Sequence, residues 1–475
     1  RRSPRTSDAY RRPVRDELGG TSVSEYRDRM LRELSFRNAG PSRALTVGPL
    51  APRFNLITGD NGLGKSFLLD AAWWALTRTW HEHPIAPTGD DAELGFSFDG
   101  DKRPVVEKAR WDVRGQQWRR KAGRPPNPGL VIYARVDGSF SVWDPARNYR
   151  LYKRTDGGDA ESPASYQFRS SSAVFEGLRR RVSESGVDRE ETLCQGLIDD
   201  WVRWQNQNAA EFKLLTQLLA HLGPEGGPLT PGAPIRPSLD DVREIPTIRM
   251  PYGQDVPITY APAGVRRMSQ LAYLLAWSLS QHRQEAKRIQ QPLAHQIIVL
   301  LDEPETHLHP RWQRTVLPSL ASAIETWLEG QKTEVQFLVA THSPLVLVSM
   351  EPGFDRERDA LWKLELVLRS GASPGGEQLV TGDDGRADVA IERDRWEPRG
   401  DAQRWLLSDV FAMNATTAPE VERVLAAANR LLTTETPDAQ EIEKVDEQLR
   451  RLLPGMDPFL FRWSALLERK KGDVR

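Results

Sequence analysis

Cysteine is nearly absent: Cys194 stands alone among 475 residues. One thiol excludes a disulfide framework and any zinc site built on cysteine pairs. Long apolar runs are missing as well. No stretch approaches the roughly 20 consecutive apolar residues that cross a bilayer, so no membrane-spanning segment is expected. Net charge of one sign is also lacking, with 65 Lys and Arg against 66 Asp and Glu. That balance argues against a surface devoted throughout to nucleic acid, although it leaves room for a local basic groove. Neither an internal repeat nor a sustained heptad pattern runs through the chain. The opening RRSPRTSDAYRRPVR is basic without an apolar core, so it reads as a flexible arm rather than a secretory signal. A cytoplasmic location is expected. Tryptophan, by contrast, is frequent at 15 residues, and most of these are expected as core anchors and interface surface.

Periodicity organises the rest. Residues 31–37 and 44–58 alternate as strands, and the second ends in a Gly-rich turn before a mostly apolar helix over 67–80. Residues 84–163 are rich in Gly, Pro and charge, with strand-like pieces at 130–136 and 140–143. A helical stretch is predicted over 171–222, followed by a Pro/Gly-rich connection over 223–237. From residue 246 a long helix (266–285), a buried strand (297–301), a helix (311–328) and a second buried strand (336–340) succeed one another. Continuous apolar strands alternating with helices imply a parallel sheet covered on both faces. Beyond residue 401 three or four short amphipathic helices remain.

Four motifs carry chemistry. Gly59, Asp60, Asn61, Gly62, Leu63, Gly64, Lys65 and Ser66 match G-x-x-x-x-G-K-[ST] in full, between a strand and a helix. Backbone N–H groups of such a loop wrap phosphates at the positive end of a helix dipole. Lys65 would reach the β- and γ-phosphates and Ser66 would ligate Mg²⁺. Second, Ile297–Leu301 followed by Asp302 and Glu303 describes a buried strand delivering two carboxylates at its C-terminal end. Asp302 is suited to hold Mg²⁺, and Glu303 to orient and deprotonate an attacking water. Third, the strand Phe337–Ala340 ends in Thr341 and His342, and the imidazole is suited to contact a γ-phosphate. Fourth, Tyr260–Arg267 places Gly264 in a small turn at a helix N-terminus, a second anion cradle. The P-loop and the carboxylate pair already serve one nucleotide from one side, so this cradle makes sense if it closes over a nucleotide held by another copy. Arg266 and Arg267 would either add charge to that closure or pair on the surface.

In that order, GDNGLGKS, the turn-helix cradle, LLDEPETHLHP and ATHSP resemble the ABC-type ATPases that are not transporters, the SMC, RecF and overcoming-lysogenisation-defect class. The opening LRELSFRN is similar to the first strand of that class. Residues 31–80 and 246–350 carry the resemblance. It implies an α/β ABC-type P-loop ATPase head, a mixed sheet flanked by helices, with an inserted helical region and a helical C-terminal region. The corresponding layout is an arm (1–30), a first half with the P-loop (31–165), a helical insertion and connection (166–245), a second half (246–400) and a C-terminal partner-docking region (401–475). The resemblance further implies a homodimer or higher homo-oligomer in which two copies pair head to tail around two ATPs. Lys65, Ser66, Asp302, Glu303 and His342 of one copy would face Gly264 of the other. The family signature usually has a serine beside its glycines, where Pro262 and Ala263 stand here, so the backbone of Gly264 would carry the closure. No glutamine can be assigned to the family's position between P-loop and signature.

The role narrows by elimination. Residues between Ser66 and 246 are too few and too rich in Pro and Gly for long SMC arms. Asp383 and Asp384 lie in a Gly-rich stretch without a following βα pattern, so an intrinsic nuclease is not expected. The layout resembles stand-alone defence ATPases such as the ATPase subunit of Septu-type anti-phage systems. That implies a separate HNH-type nuclease partner, with DNA reached through it, docked on apolar residues such as Leu453, Phe459, Phe461 and Trp463. Two alternatives remain. One is a DNA-repair-type dimer clamping DNA through Arg119, Arg120 and Lys121 or through Arg179, Arg180 and Arg181. The other is a regulatory scaffold that binds ATP and barely turns it over.

Overall fold

The computed structural model describes residues 29–472 except 100–102, 120–126, 149–163, 185–186, 225–226, 329–332, 369–386, 412, 414–415, 435–437 and 456. The arm, Arg120 and Lys121, and Asp383 and Asp384 lie outside the described residues. Two compact units divide at Gly400 and Asp401.

An eight-stranded mixed sheet forms the centre of the first unit. Its order is Ala387–Asp394, Asp359–Leu368, Phe54–Thr58, Glu334–Ala340, Gln296–Asp302, Leu130–Ala134, Phe140–Trp143 and Tyr166–Phe168. The five strands from Asp359–Leu368 to Leu130–Ala134 run parallel, and antiparallel strands close both edges. The strand entering the P-loop is separated from the one ending in Asp302 by Glu334–Ala340 alone, so all three deliver their C-terminal tips to one edge. Phe54–Thr58 and Gln296–Asp302 are buried throughout. Covered parallel strands need this continuous apolar sequence in place of alternation.

A second, antiparallel sheet comprises Ser42–Val47, Leu31–Ala39, Glu93–Phe98, Val105–Asp112 and Gln117–Arg119. The helix Lys65–Thr77 is wedged between the sheets. Its Leu68, Trp73 and Trp74 share one core with Leu34, Phe36, Phe96 and Phe98 of the antiparallel sheet and Ile57, Leu300 and Leu338 of the mixed one. A helix covered on both sides loses its polar face, which is why KSFLLDAAWWALT is apolar nearly all round. The helices Ala210–Leu222, Ala263–Arg288 and Val316–Trp327 pack together, the first against each of the others.

Two expectations are corrected. Residues 44–58 are two strands, because Pro49 and Pro52 remove ladder donors between Val47 and Phe54. The stretch 171–222 is not helical throughout. A short helix (Ser171–Glu176) is followed by the antiparallel pair Leu178–Glu184 and Val187–Cys194, and helices resume at Leu197–Asn206 and Ala210–Leu222. Gly177 and Gly196 bracket the pair at φ of 92° and 94°. A Cβ on Gly196 would stand 2.4 Å from the Gly177 nitrogen, so the two ends meet only as glycines.

The second unit, by itself, contains a short helix (Ala402–Leu406) and three longer ones, Pro419–Thr433, Ala439–Leu452 and Pro458–Gly472. Val424, Ala428, Leu431, Val445, Leu449, Leu453 and Trp463 form its core. Trp463 is fully buried and donates Nε1–H to Asp446 at 3.0 Å. Leu453 and Trp463 therefore hold this unit together and are not a docking surface. Phe459 packs on that core, while Phe461 is exposed.

Candidate nucleotide site

The P-loop bends where only glycine is comfortable. Gly59, Gly62 and Gly64 have φ of 142°, 84° and 97°. A Cβ on Gly59 would lie 2.5 Å from the Leu364 carbonyl and one on Gly64 would lie 2.6 Å from the Pro41 ring, whereas one on Gly62 would meet nothing within 4 Å. Two glycines are thus fixed by close approach, and the third faces open space. Asp60 and Asn61 are exposed, and Leu63 packs against the core. The helix starting at Lys65 has no side-chain cap at its N-terminus, so its first N–H groups are left for an anion.

Lys65 is buried and donates through Nζ to the carbonyls of Gly59 at 2.8 Å and Asp60 at 3.1 Å. Burial pulls its ammonium below the usual lysine range, against the opposing pull of Glu303, Asp302 and Asp60. Ser66 donates Oγ–H to Asp302 Oδ1 at 3.1 Å. Burial pushes the Asp302 carboxyl up to about 6, offset by the Ser66 hydrogen bond and reinforced by Glu303. A Ser hydroxyl and a carboxylate in contact beside an uncapped helix N-terminus fit Mg²⁺, a hard cation that takes few protein ligands plus phosphate oxygens and water. Among the described residues no three His, Cys, Asp or Glu side chains converge as a metal cage.

Glu303 adopts φ of 47°, a left-handed conformation rare for such a residue. Its N–H is tied to the Ala340 carbonyl at 2.9 Å, so the strain, of order 1–3 kcal/mol, is imposed by the sheet edge. The conformation aims its carboxylate at the neighbouring strand end, where His342 Nδ1 lies 3.2 Å from Glu303 Oε1. His342 is half-exposed. The structure therefore brings Lys65, Ser66, Asp302, Glu303 and His342 together at one edge.

Gly264 is not part of that cluster. It is buried in the first turn of Ala263–Arg288, where a Cβ would come within 3.2 Å of both the His307 carbonyl and the Trp312 ring. Its lack of a side chain serves packing against its own chain. Tyr260, Pro262, Ala263 and Arg266 around it are exposed. Arg267 adopts neither expected role: it turns inward and donates to the Arg135 carbonyl. Arg135 in turn pairs with Asp70 at 2.5 Å, and Tyr133 donates to the same carboxylate at 3.0 Å.

The basic clusters are partly neutralised where they are described, with Arg181 exposed. Arg179 and Arg180 pair across the hairpin with Glu190 at 3.5 Å and Glu191 at 2.6 Å, and Arg119 pairs with Asp112 at 2.9 Å. Sequence reasoning missed Glu305 and Thr341, which contact each other beneath His342 at 2.6 Å. The available signal was a third carboxylate, in ETH, directly after the Asp-Glu pair.

A P-loop, an Asp-Glu strand end and a histidine thus share one edge of a mixed sheet flanked by helices, an α/β fold carrying a P-loop. Residues 143–349 match the family model described as AAA domain, putative AbiEii toxin, Type IV TA system. The match takes in Gly264, Asp302, Glu303 and His342. The chain is similar to the Retron Vc95 probable ATPase of Vibrio cholerae serotype O1 biovar El Tor, 40% identical over 62 residues, 13% of this chain and 10% of that protein. It is likewise similar to the Retron Ec83 probable ATPase of Escherichia coli, 42% identical over 55 residues, 12% and 9% of the two chains. The matched segments thus span about a tenth of the length of these curated relatives. The SMC head domain from Thermotoga maritima aligns over 77% of this chain and 99% of its own at 14% identity, with a TM-score of 0.32. The fold stands on its own strand order, not on that likeness. Among the described residues no helix is long and apolar enough to cross a membrane.

Proposed function

We propose that this chain binds and hydrolyses ATP at the edge formed by Gly59–Ser66, Asp302, Glu303 and His342, as a homodimer that closes each site with Gly264 of the second copy. The carrying observation is the Ser66–Asp302 contact of 3.1 Å beside a strained Glu303 facing His342. The loop N–H groups and Lys65 hold the phosphates. Lys65 already sits over two loop carbonyls, where phosphate oxygens would compete for its protons. Ser66 and Asp302 would hold Mg²⁺, which would neutralise charge developing on the phosphates. Glu303 orients and deprotonates the attacking water, and His342 contacts the γ-phosphate. Similarity to two proteins described as probable ATPases supports the activity.

The output of the cycle, in this reading, passes to a separate HNH-type nuclease in anti-phage defence, with DNA engaged through that partner. Pairing of Arg179, Arg180 and Arg119 with carboxylates disfavours a clamp built on those residues. Two measurements test the proposal. Purified chain should release phosphate from ATP only when Mg²⁺ is present, and no release at all would remove the ATPase reading. Affinity purification from cells carrying the native neighbouring genes should recover a nuclease; recovery of the chain alone would remove the effector reading.

A further inference from the structure

Glu305 has no part in the chemistry above, yet it is buried more deeply than Glu303. Its side chain is 4% exposed against 22% for Glu303. Oε1 accepts the Thr341 hydroxyl at 2.6 Å and the His342 backbone N–H at 3.1 Å. Oε2 is buried without a hydrogen-bond partner. A buried carboxylate with one oxygen unsatisfied is costly and calls for a reason. Both donors to Oε1 lie in the turn that follows Glu334–Ala340 and carries His342. The same turn is tied further by Ser343, whose N–H donates to Thr341 Oγ1 at 3.1 Å and whose hydroxyl donates to Gln313 at 2.8 Å. The imidazole Nδ1 then lies 3.2 Å from Glu303 and 3.9 Å from Glu305. The ring therefore turns one nitrogen to the two carboxylates.

We propose that Glu305 is a positioning residue: its carboxylate clamps the Thr341–Ser343 turn to the strand end of Asp302 and Glu303, and so sets the distance between His342 and the catalytic carboxylate. The inference deepens the proposed ATPase reading and rests on it for its kinetic consequence, though the clamp itself does not require nucleotide. One oxygen receives both donors, so acceptor geometry is what the clamp uses. Glutamine keeps that acceptor and loses the charge, with an amide NH2 in place of the unpaired Oε2, whereas alanine loses acceptor and charge alike.

The test therefore has two arms. In nucleotide-free protein, amide hydrogen exchange across residues 336–345 should accelerate about tenfold at His342 in Glu305→Ala and stay within about threefold of wild type in Glu305→Gln. In the kinetic arm, Glu305→Ala should lower kcat about tenfold with KM for ATP within about twofold, and Glu305→Gln should recover most of the loss. Unchanged exchange in Glu305→Ala overturns the clamp. Equal kinetic losses in the two variants overturn it too, because charge would then be what matters. Should Glu305→Ala fail to fold, Thr341→Val removes one donor and must by itself accelerate exchange at His342, or the proposal falls. If wild-type protein turns over no ATP, the ATPase reading fails while the exchange arm still decides the clamp.

Discussion

The P-loop edge and the Gly264 turn are both anion cradles by sequence, but the fold treats them differently. At the P-loop edge the functional groups hold one another: Ser66 touches Asp302, Glu303 faces His342, and Glu305 ties the histidine turn from beneath. Glycines there free the backbone for φ values other residues avoid. At the Gly264 turn the glycine lies in an ordinary helical turn, and its small size lets the helix approach His307 and Trp312 of its own chain. The side chains around it, Tyr260, Pro262, Ala263 and Arg266, are exposed and make no internal site. One region is organised for chemistry within a single chain. The other has the form of a surface, and its chemistry depends on what meets it.

The largest effect falls on the self-contained edge. Lys65→Ala should weaken ATP binding by about a hundredfold or more, since a charge-assisted contact to phosphate is lost from a buried position, and titration with a fluorescent ATP analogue measures it. Wild-type affinity in that variant would mean that the loop N–H groups carry the phosphates unaided. Glu303→Gln comes next. Turnover should fall about a hundredfold or more while nucleotide affinity is kept, and the ATP-bound dimer should accumulate on size-exclusion chromatography. Hydrolysis at the wild-type rate would assign the base elsewhere.

A smaller signal breaks the comparison most directly. If the turn acts on a second copy, Gly264→Asp should bind ATP normally and fail to hydrolyse it. Mixing it with the equally inactive Lys65→Ala should then restore activity. Only the heterodimer has an intact composite site, one of its two, so random pairing predicts roughly a quarter of wild-type turnover. An inactive mixture, with both variants folded, would confine the site to one chain.

The P-loop, Asp302, Glu303 and His342 were legible because covered parallel strands write themselves as apolar runs, and their polar tips follow at once. The hairpin Leu178–Cys194 was not, since LRRRVSE and VDREETLC show no apolar alternation. Its arginines find their glutamates across the ladder, a pairing that adjacency in sequence hides. Glu305 was visible as a residue but not as a clamp, because its donors arrive from the neighbouring strand. Trp463 misled for the opposite reason. An amphipathic helix near the end of a chain reads as an unpartnered face, yet two preceding helices cover it.

The smallest expected effect decides what a loss in Gly264→Asp means. Cys194 is buried, with Sγ 3.1 Å from the hydroxyl of Tyr273, a residue of the helix Ala263–Arg288 that carries Gly264 in its first turn. It borders a cleft with Gln195, Arg203 and Trp204, so a small reagent has a route toward it. Burial nevertheless pushes the thiol up to about 12, leaving about one thiolate in ten thousand at pH 8. Native wild-type protein should therefore react with a thiol reagent far more slowly than a free cysteine, and should take up one label per chain in denaturant. Gly264→Asp should match it if the substitution blocks only closure on a second copy. A thiol that reacts readily in the variant would show that the helix has shifted against Cys194, and the lost activity would then report on packing within the chain.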